Sequence, residues 1–211
     1  MNQLFHLRSD LNSVSDLKYF LEVSITTFVS FNLLYVIWIF FIISSETASG
    51  FNGSIMYVPH AARVLTICYF GIAAIPALFA AHVFSTLVIG GAYGLNNLLL
   101  FDLFGTSFLS TICVFIALYA MAGLGFKIRT LPFYKFTNDS VYLDLRNHKH
   151  IIMVTVFSAA VHSLSLYVYN YLRAISSNPE IFVRFFVGDI LGTLVTIFTL
   201  SFMLFAFFRE R

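Results

Sequence analysis

Residues 151–172 read IIMVTVFSAAVHSLSLYVYNYL, and no Asp, Glu, Lys or Arg interrupts this apolar run. A helix that crosses the hydrocarbon of a bilayer needs about 20 mostly apolar residues, which this run provides. Lipid offers no partners to backbone N–H and C=O groups, so a spanning segment must satisfy them within a helix. The run therefore predicts a transmembrane helix.

Apolar segments of this kind recur along the whole chain, which is 59% hydrophobic and only 10% charged. Soluble domains carry about 25% charged residues, so this composition excludes a protein with a water-facing shell. We predict an all-α protein with a single integral membrane domain, residues 1–211, whose helical bundle occupies residues 17–208. About six spanning helices are expected, over residues 17–43, 56–71, 76–91, 105–124, 151–172 and 183–208.

Proline and glycine mark the second and third of these segments. Pro59 suits the first turn of a helix, where its missing N–H would have no partner in any case. Gly71 and Pro76 enclose a short connection without any charged residue. We expect a tight helical hairpin at Gly71–Pro76, or a helix that is broken there.

Lys and Arg are unevenly distributed, and cytoplasmic loops of membrane proteins carry an excess of them. Residues 125–150 contain five Lys or Arg, both chain ends carry further ones, and residues 45–58 contain none. We therefore predict that the N-terminal segment 1–16, the basic loop 125–150 and the C-terminus are cytoplasmic. The formal net charge of only +2, without a basic patch, argues against nucleic acid as a partner.

Ionisable side chains within membrane-spanning segments are costly, and each is by default a functional candidate. Several polar residues are expected near the outer end of the bundle, where Arg63 and Asp189 would pair if their helices touch. Such a pair either locks helix packing or forms part of a solute-binding pocket. The free N–H groups of a helix N-terminus would favour an anion there. The candidate ligand-binding residues are Pro59, His60, Arg63, Asn97, Asp102 and Asp189.

Two further histidines, His82 and His162, lie inside the third and fifth segments. They are expected to form hydrogen bonds between helices, and paired axial ligation of a haem is the alternative to a protein without a cofactor. Cys68 and Cys113 lie in apolar runs without metal-ligand spacing, so no metal site is predicted. No Ser-His-Asp pattern, HExxH motif or glycine-rich phosphate loop stands out, which predicts a protein that is not an enzyme.

Several short motifs occur in a characteristic order along the chain. They are Tyr57-Val58-Pro59, then Phe70-Gly71 with Ile75-Pro76, then Leu124-Gly125-Phe126 with Asp144-Leu145-Arg146, and finally Gly188-Asp189-Ile190-Leu191-Gly192. This order, over roughly residues 17–208, resembles the first type of bacterial membrane-associated sensor domain, the MASE family. The chain departs from that family in two places. Ala61 and Ala62 replace a glycine, and Thr196 and Thr199 stand where a proline is common.

The resemblance implies a sensory domain in the bacterial inner membrane that binds an unknown small molecule. Gly188 and Gly192 would let a neighbouring helix approach the last helix. The output domain of the family would begin near Arg211, where this chain stops, so a separate protein partner is expected to carry the output. Two other functions stay open: a transporter or its solute-binding subunit, and an accessory subunit of a larger membrane complex.

Overall fold

The computed structural model describes residues 14–42, 54–91, 100–124, 148–173 and 178–208. Within these residues all regular secondary structure is helical, which confirms the predicted all-α class. The elements are α1 (Val14–Phe41), α2 (Pro59–Phe70), a 3₁₀ turn (Gly71–Ala74), α3 (Ile75–Phe84) continued by a π-helix (Ser85–Gly90), α4 (Leu100–Gly123), α5 (His148–Leu172) and α6 (Glu180–Phe208).

Five helical segments are long and apolar enough to cross a membrane, as expected for a multi-pass membrane protein. The prediction of six was wrong by one, because the second and third predicted spans fall in a single helical segment of 32 residues without a loop. The five segments are Leu17–Phe41, Pro59–Gly90, Leu100–Gly123, His150–Leu172 and Glu180–Met203.

The 32-residue segment is bent in its middle. Gly71 adopts a φ of 62°, a conformation that favours glycine, and its N–H caps the end of α2 on Ile67 O. The ring of Phe31 in α1 contacts both Arg63 of α2 and His82 of α3, each at 5.6 Å. Along a straight helix at 1.5 Å per residue these two positions would lie about 28 Å apart. Both arms therefore lie against α1, with the bend where the sequence predicted a hairpin or a break.

Outward-facing side chains of the bundle are large and apolar. Leu33 of α1, Phe108 of α4, Leu164 of α5 and Phe198 of α6 are all more than half exposed. A soluble protein rarely exposes apolar surface on every side, whereas lipid is a favourable neighbour for it. The interior combines large buried side chains, such as Phe31, Trp38 and Leu78, with buried hydroxyls and the ionisable residues described below.

The non-helical segment 54–58 packs directly on α6. The backbone N–H of Tyr57 donates to the carbonyl of Gly188 at 2.8 Å. A Cβ on Gly188 would overlap the carbonyl oxygen of Ser54, and one on Gly192 would overlap the carbonyl of Tyr57. The two glycines thus allow close approach as the sequence predicted, but their neighbour is the chain leading into α2 and not another helix.

Candidate functional site

Four ionisable side chains meet inside the bundle and form what we call the buried polar centre. They are His60 and Arg63 of α2, His162 of α5 and Asp189 of α6, and none is more than 2% exposed. His162 lies near the middle of its spanning segment, His150–Leu172. The centre is therefore close to the middle of the membrane-spanning region, and not at the outer end of the bundle as the sequence suggested.

The carboxylate of Asp189 faces two imidazoles. Its Oδ2 lies 2.5 Å from His162 Nδ1 and 3.5 Å from His60 Nδ1. The two rings are stacked, with centroids 5.8 Å apart and an interplanar angle of 17°. The expected direct pair between Arg63 and Asp189 is absent from the ion pairs of the described chain, because the imidazoles take the places next to the carboxylate.

Arg63 is held by aromatic residues. Its guanidinium lies 5.0 Å from the ring centroid of Tyr57 and 5.6 Å from that of Phe31. Nη2 donates to Tyr57 Oη at 3.1 Å, and Nη1 approaches His162 Nε2 at 3.4 Å. Cation–π contact offsets part of the desolvation of a buried cation. Burial also raises the pKa of Tyr57, so this phenol stays neutral and can accept from Arg63.

Two serines complete the centre from the far side of each imidazole. Ser158 Oγ lies 3.0 Å from His60 Nε2, and Ser110 Oγ lies 2.8 Å from His162 Nε2. Neither hydroxyl was predicted as a site residue from the sequence. The spacing of Ser158, four positions before His162, does place the two side chains on one face of α5, which was the available signal. Ser110 lies on another helix, and nothing in the sequence links it to His162.

The partners of each imidazole assign its hydrogens. Ser158 donates its only hydrogen to Thr155 O at 3.1 Å, so it must accept from His60 Nε2–H. A neutral His60 then points a bare Nδ1 lone pair at Asp189. Arg63 donates to His162 Nε2, which leaves the hydrogen of His162 on Nδ1, where it binds Asp189. His60 Nδ1 and the Asp189 carboxylate are thus two acceptors that face each other, with no hydrogen to form a bond between them.

The same gap is seen in the hydrogen bonding of the centre, where two buried polar atoms lack partners among the described residues. Asp189 Oδ1 and His60 Nδ1 are both buried and have no hydrogen-bond partner among the residues that the structure describes. Buried polar atoms are usually satisfied, and an unsatisfied one costs about 1–3 kcal/mol. A proton or another hydrogen-bonding group placed between these two side chains would satisfy them.

A metal ion is a second guest to consider, because ligand atoms of His60, His162 and Asp189 lie within 4.8 Å of one another. Two imidazoles and a carboxylate are a donor set that suits transition metals. However, the permanent charge of Arg63 lies 3.4 Å from His162 and repels a cation. The donor set fits a metal and the local charge does not, so we derive no metal chemistry from it.

The two histidines considered as haem ligands are already engaged. His162 uses both ring nitrogens, one with Asp189 and one with Ser110. His82 Nδ1 lies 2.8 Å from Ser107 Oγ of α4. Haem ligation would require His162 to give up one of its two partners.

The order Ser110–His162–Asp189 is that of an acyl-transfer triad, although no such pattern is visible along the sequence. A triad also needs hydrogen-bond donors for the oxyanion. Ser110 lies in the middle of α4, where the neighbouring backbone N–H groups are used within the helix and cannot form an oxyanion hole. The absence of enzymatic activity stays a prediction.

The remaining predicted residues lie elsewhere. Asp102, in the first turn of α4, accepts from Tyr169 Oη and from Arg173 Nε, both at 2.9 Å, and forms what we call the Asp102 clamp. The hydrogen bond to Asp102 raises the pKa of Arg173. Pro59 opens α2 next to His60. Asn97 and residues 125–147 of the basic loop lie outside the described residues.

No family model, curated protein or solved structure matches this chain. Its function must therefore be inferred from the geometry of the centre.

Proposed function

We propose that this chain is a membrane-embedded sensory domain that binds its ligand at the buried polar centre. One observation supports this most strongly. Four ionisable side chains from three helices meet in the middle of a membrane-spanning bundle, with one hydrogen missing between them. Charged groups at that depth are expensive, and where they occur they commonly mark ligand or proton sites.

The centre is suited to sensing because it joins a short helix to longer ones. Helix α2 has only 12 residues, between the non-helical segment 54–58 and the bend at Gly71. Its polar contacts with α5 and α6 include those of His60 with Ser158 and Asp189 and that of Arg63 with His162. A ligand that changes these contacts would move α2 relative to α6, which is the two-state element that a sensor requires.

Topology forms part of this proposal. Helix α2 is about 18 Å long at 1.5 Å per residue, too short to cross a hydrocarbon core of about 30 Å. We infer that α2 and α3 form a folded-back pair within the bundle. The resemblance to the MASE family supports a bacterial inner-membrane location.

A proton-coupled carrier is the second candidate, and the start of α2 favours it. His60 is the second residue of α2 and already belongs to the centre, so the helix begins inside the bundle. Carriers often place such discontinuous helix ends at substrate sites near the bilayer midplane.

The test measures helix movement and transport in the same proteoliposomes. Spin labels at Tyr69 and Leu191, which are exposed on α2 and α6, are introduced with Cys68 and Cys113 replaced by Ala. Asp189→Asn should change the distance distribution between the labels, whereas the control Asp102→Asn should not. An internal pH dye reports proton flux.

Sensing requires movement without flux, whereas a carrier would dissipate a pH gradient in an Asp189-dependent way. Identical distance distributions for the wild type and Asp189→Asn between pH 5.5 and 8 would contradict the proposed sensory role.

A further inference from the structure

We infer that the ligand of the buried polar centre is a small carboxylate monoanion, held by Arg63 and bound together with one proton shared by His60 and Asp189. The inference rests on the proposed function and names the chemistry of its ligand.

Arg63 is the group that would hold the anion. It is 1% exposed and permanently charged, and the ion pairs of the described chain give it no carboxylate partner. A guanidinium has five N–H donors, but only Nη1 and Nη2 have hydrogen-bond partners among the described residues. The rings of Tyr57 and Phe31 fix its position. A planar, pre-positioned guanidinium suits the two oxygens of a carboxylate.

One existing contact of Arg63 is weak enough to be replaced. The Arg63–His162 distance of 3.4 Å is long for a hydrogen bond. Charge-assisted bonds to a carboxylate are about 2.7–2.9 Å and roughly twice as strong as neutral ones. A carboxylate oxygen would therefore displace Nη1 from the imidazole at a net gain.

The start of α2 adds positive potential at the same place. Pro59 opens the helix, and Arg63 follows one turn later. The N–H groups of His60 and Ala61 already donate to Tyr57 O and Val58 O, so this helix start offers an anion its dipole, roughly half a positive charge, and not the free donors expected from the sequence. This end lies inside the protein, where Pro59 and His60 are buried, so water screens it little.

Charge balance couples the anion to a proton. With Asp189 ionised, Arg63 charged and the imidazoles neutral, the centre has no net charge. An anion alone would leave an uncompensated buried negative charge, which is costly. A proton placed between His60 Nδ1 and Asp189 fills the missing hydrogen and restores neutrality.

The other titratable groups around the centre do not supply this proton site. Among the described residues they are Tyr35 of α1, Tyr57 before α2, His82 of α3, Cys113 of α4 and His162 of α5. None is a carboxylate, and His162 already donates to Asp189. Anion affinity should therefore rise about tenfold for each unit of falling pH, as required when one proton binds with each anion.

Calorimetric titration of the purified protein in nanodiscs tests the inference. Acetate, lactate, chloride and nitrate are the probes, each at pH 6 and pH 8. The wild type should bind the carboxylates more tightly at pH 6. Arg63→Gln should lose at least thirtyfold in affinity, and Arg63→Lys, which keeps the charge, should lose less. The control Arg184→Gln removes an arginine that pairs with Glu180 away from the centre and should bind like the wild type.

Asp189→Asn gives the sharpest result. The amide imitates a protonated carboxyl, so carboxylates should still bind, but with an affinity that no longer depends on pH. Absence of carboxylate binding by folded wild type, or unchanged binding by Arg63→Gln, would overturn the inference. Chloride binding as tight as that of the carboxylates would overturn the carboxylate assignment. A change in the α2–α6 distance in Asp189→Asn without any anion binding would refute the anion and leave the sensory proposal standing.

Discussion

The buried polar centre and the Asp102 clamp each contain a carboxylate, but they satisfy it differently. Asp102 accepts from Tyr169 and Arg173 at the ends of α4 and α5, where the arginine is 42% exposed. Asp189 is fully buried and has one donor, His162, while His60 turns a bare nitrogen toward it. Near a helix end, water and a flexible arginine can satisfy the hydrogen-bond acceptors of a carboxylate. In the middle of the bundle only protein groups can do so, and at Asp189 they supply one donor too few.

The largest expected effect comes from removing each carboxylate in turn. Asp189→Ala leaves Arg63 as a buried charge without any counter-charge and should lower the free energy of unfolding by about 3–5 kcal/mol. The Asp102 side chain is only 7% exposed, but its partner Arg173 is 42% exposed and keeps much of its hydration, so Asp102→Ala should cost about 1–2 kcal/mol. Unfolding in mixed micelles, followed by circular dichroism, measures both. Equal losses in the free energy of unfolding would contradict the view that Asp189 and Asp102 are satisfied in different ways.

A second comparison concerns the glycines next to each region. A Cβ on Gly192 would lie 2.6 Å from the backbone nitrogen of Val58, which leads into the centre. A Cβ on Gly105 would instead meet the phenol end of Tyr169, which belongs to the clamp. Backbone cannot move aside as a side-chain tip can. Gly192→Ala should therefore destabilise by about 3 kcal/mol and Gly105→Ala by about 1 kcal/mol or less.

The same unfolding measurement applies to the glycine variants. A Gly192→Ala protein as stable as Gly105→Ala would show that the segment 54–58 is not closely held by α6.

A smaller effect is expected from the hydroxyls of the centre. Ser158→Ala removes the acceptor for His60 Nε2–H and should cost about 0.6 kcal/mol, the average for side-chain hydrogen bonds in membrane proteins. It should also free the imidazole to turn its hydrogen toward Asp189. Nitrogen-15 chemical shifts of the His60 ring report the protonated nitrogen, and an unchanged tautomer would contradict the assigned hydrogens.

The last prediction concerns the reactivity of Ser110, for which we expect no effect. Because Ser110 is buried in mid-helix, a fluorophosphonate probe should not label it in intact membranes. Mass spectrometry of the peptide containing Ser110 provides the measurement. Labelling that disappears in His162→Asn would instead identify an intramembrane hydrolase and overturn the prediction that the chain is not an enzyme.

Periodic and compositional features made much of the fold predictable. Long apolar runs fix helices because lipid permits little else, and Pro59 and Gly71 mark where α2 begins and ends. The number of spans was overestimated because the sequence does not show whether Gly71–Ala74 is a loop between two crossings or a bend in one helical segment. Both have the same apolar composition.

The candidate site was only partly predictable. His60, Arg63 and Asp189 were recognisable as ionisable residues within apolar segments. Their depth was wrong, and so was the expected Arg63–Asp189 pair, because neither follows from position along separate helices. His162 was expected to hydrogen-bond a neighbouring helix, as it does, or to ligate haem, but it was not placed in the binding site. Ser110 was not considered, since the sequence does not show which residues of distant helices face each other.

The sequence alone determined that lipid, and not water, surrounds most of this protein, because so few charged residues cannot cover a water-facing surface. Lipid in turn requires that the spanning segments form helices. Only the tertiary structure decided which buried groups meet. Gly188 and Gly192 let the segment 54–58 approach α6 closely, and the packing of α2 against α5 and α6 then brings two imidazoles next to an arginine and a carboxylate. That arrangement depends on how helices rotate about their axes, and a difference of one residue would turn each side chain by 100°.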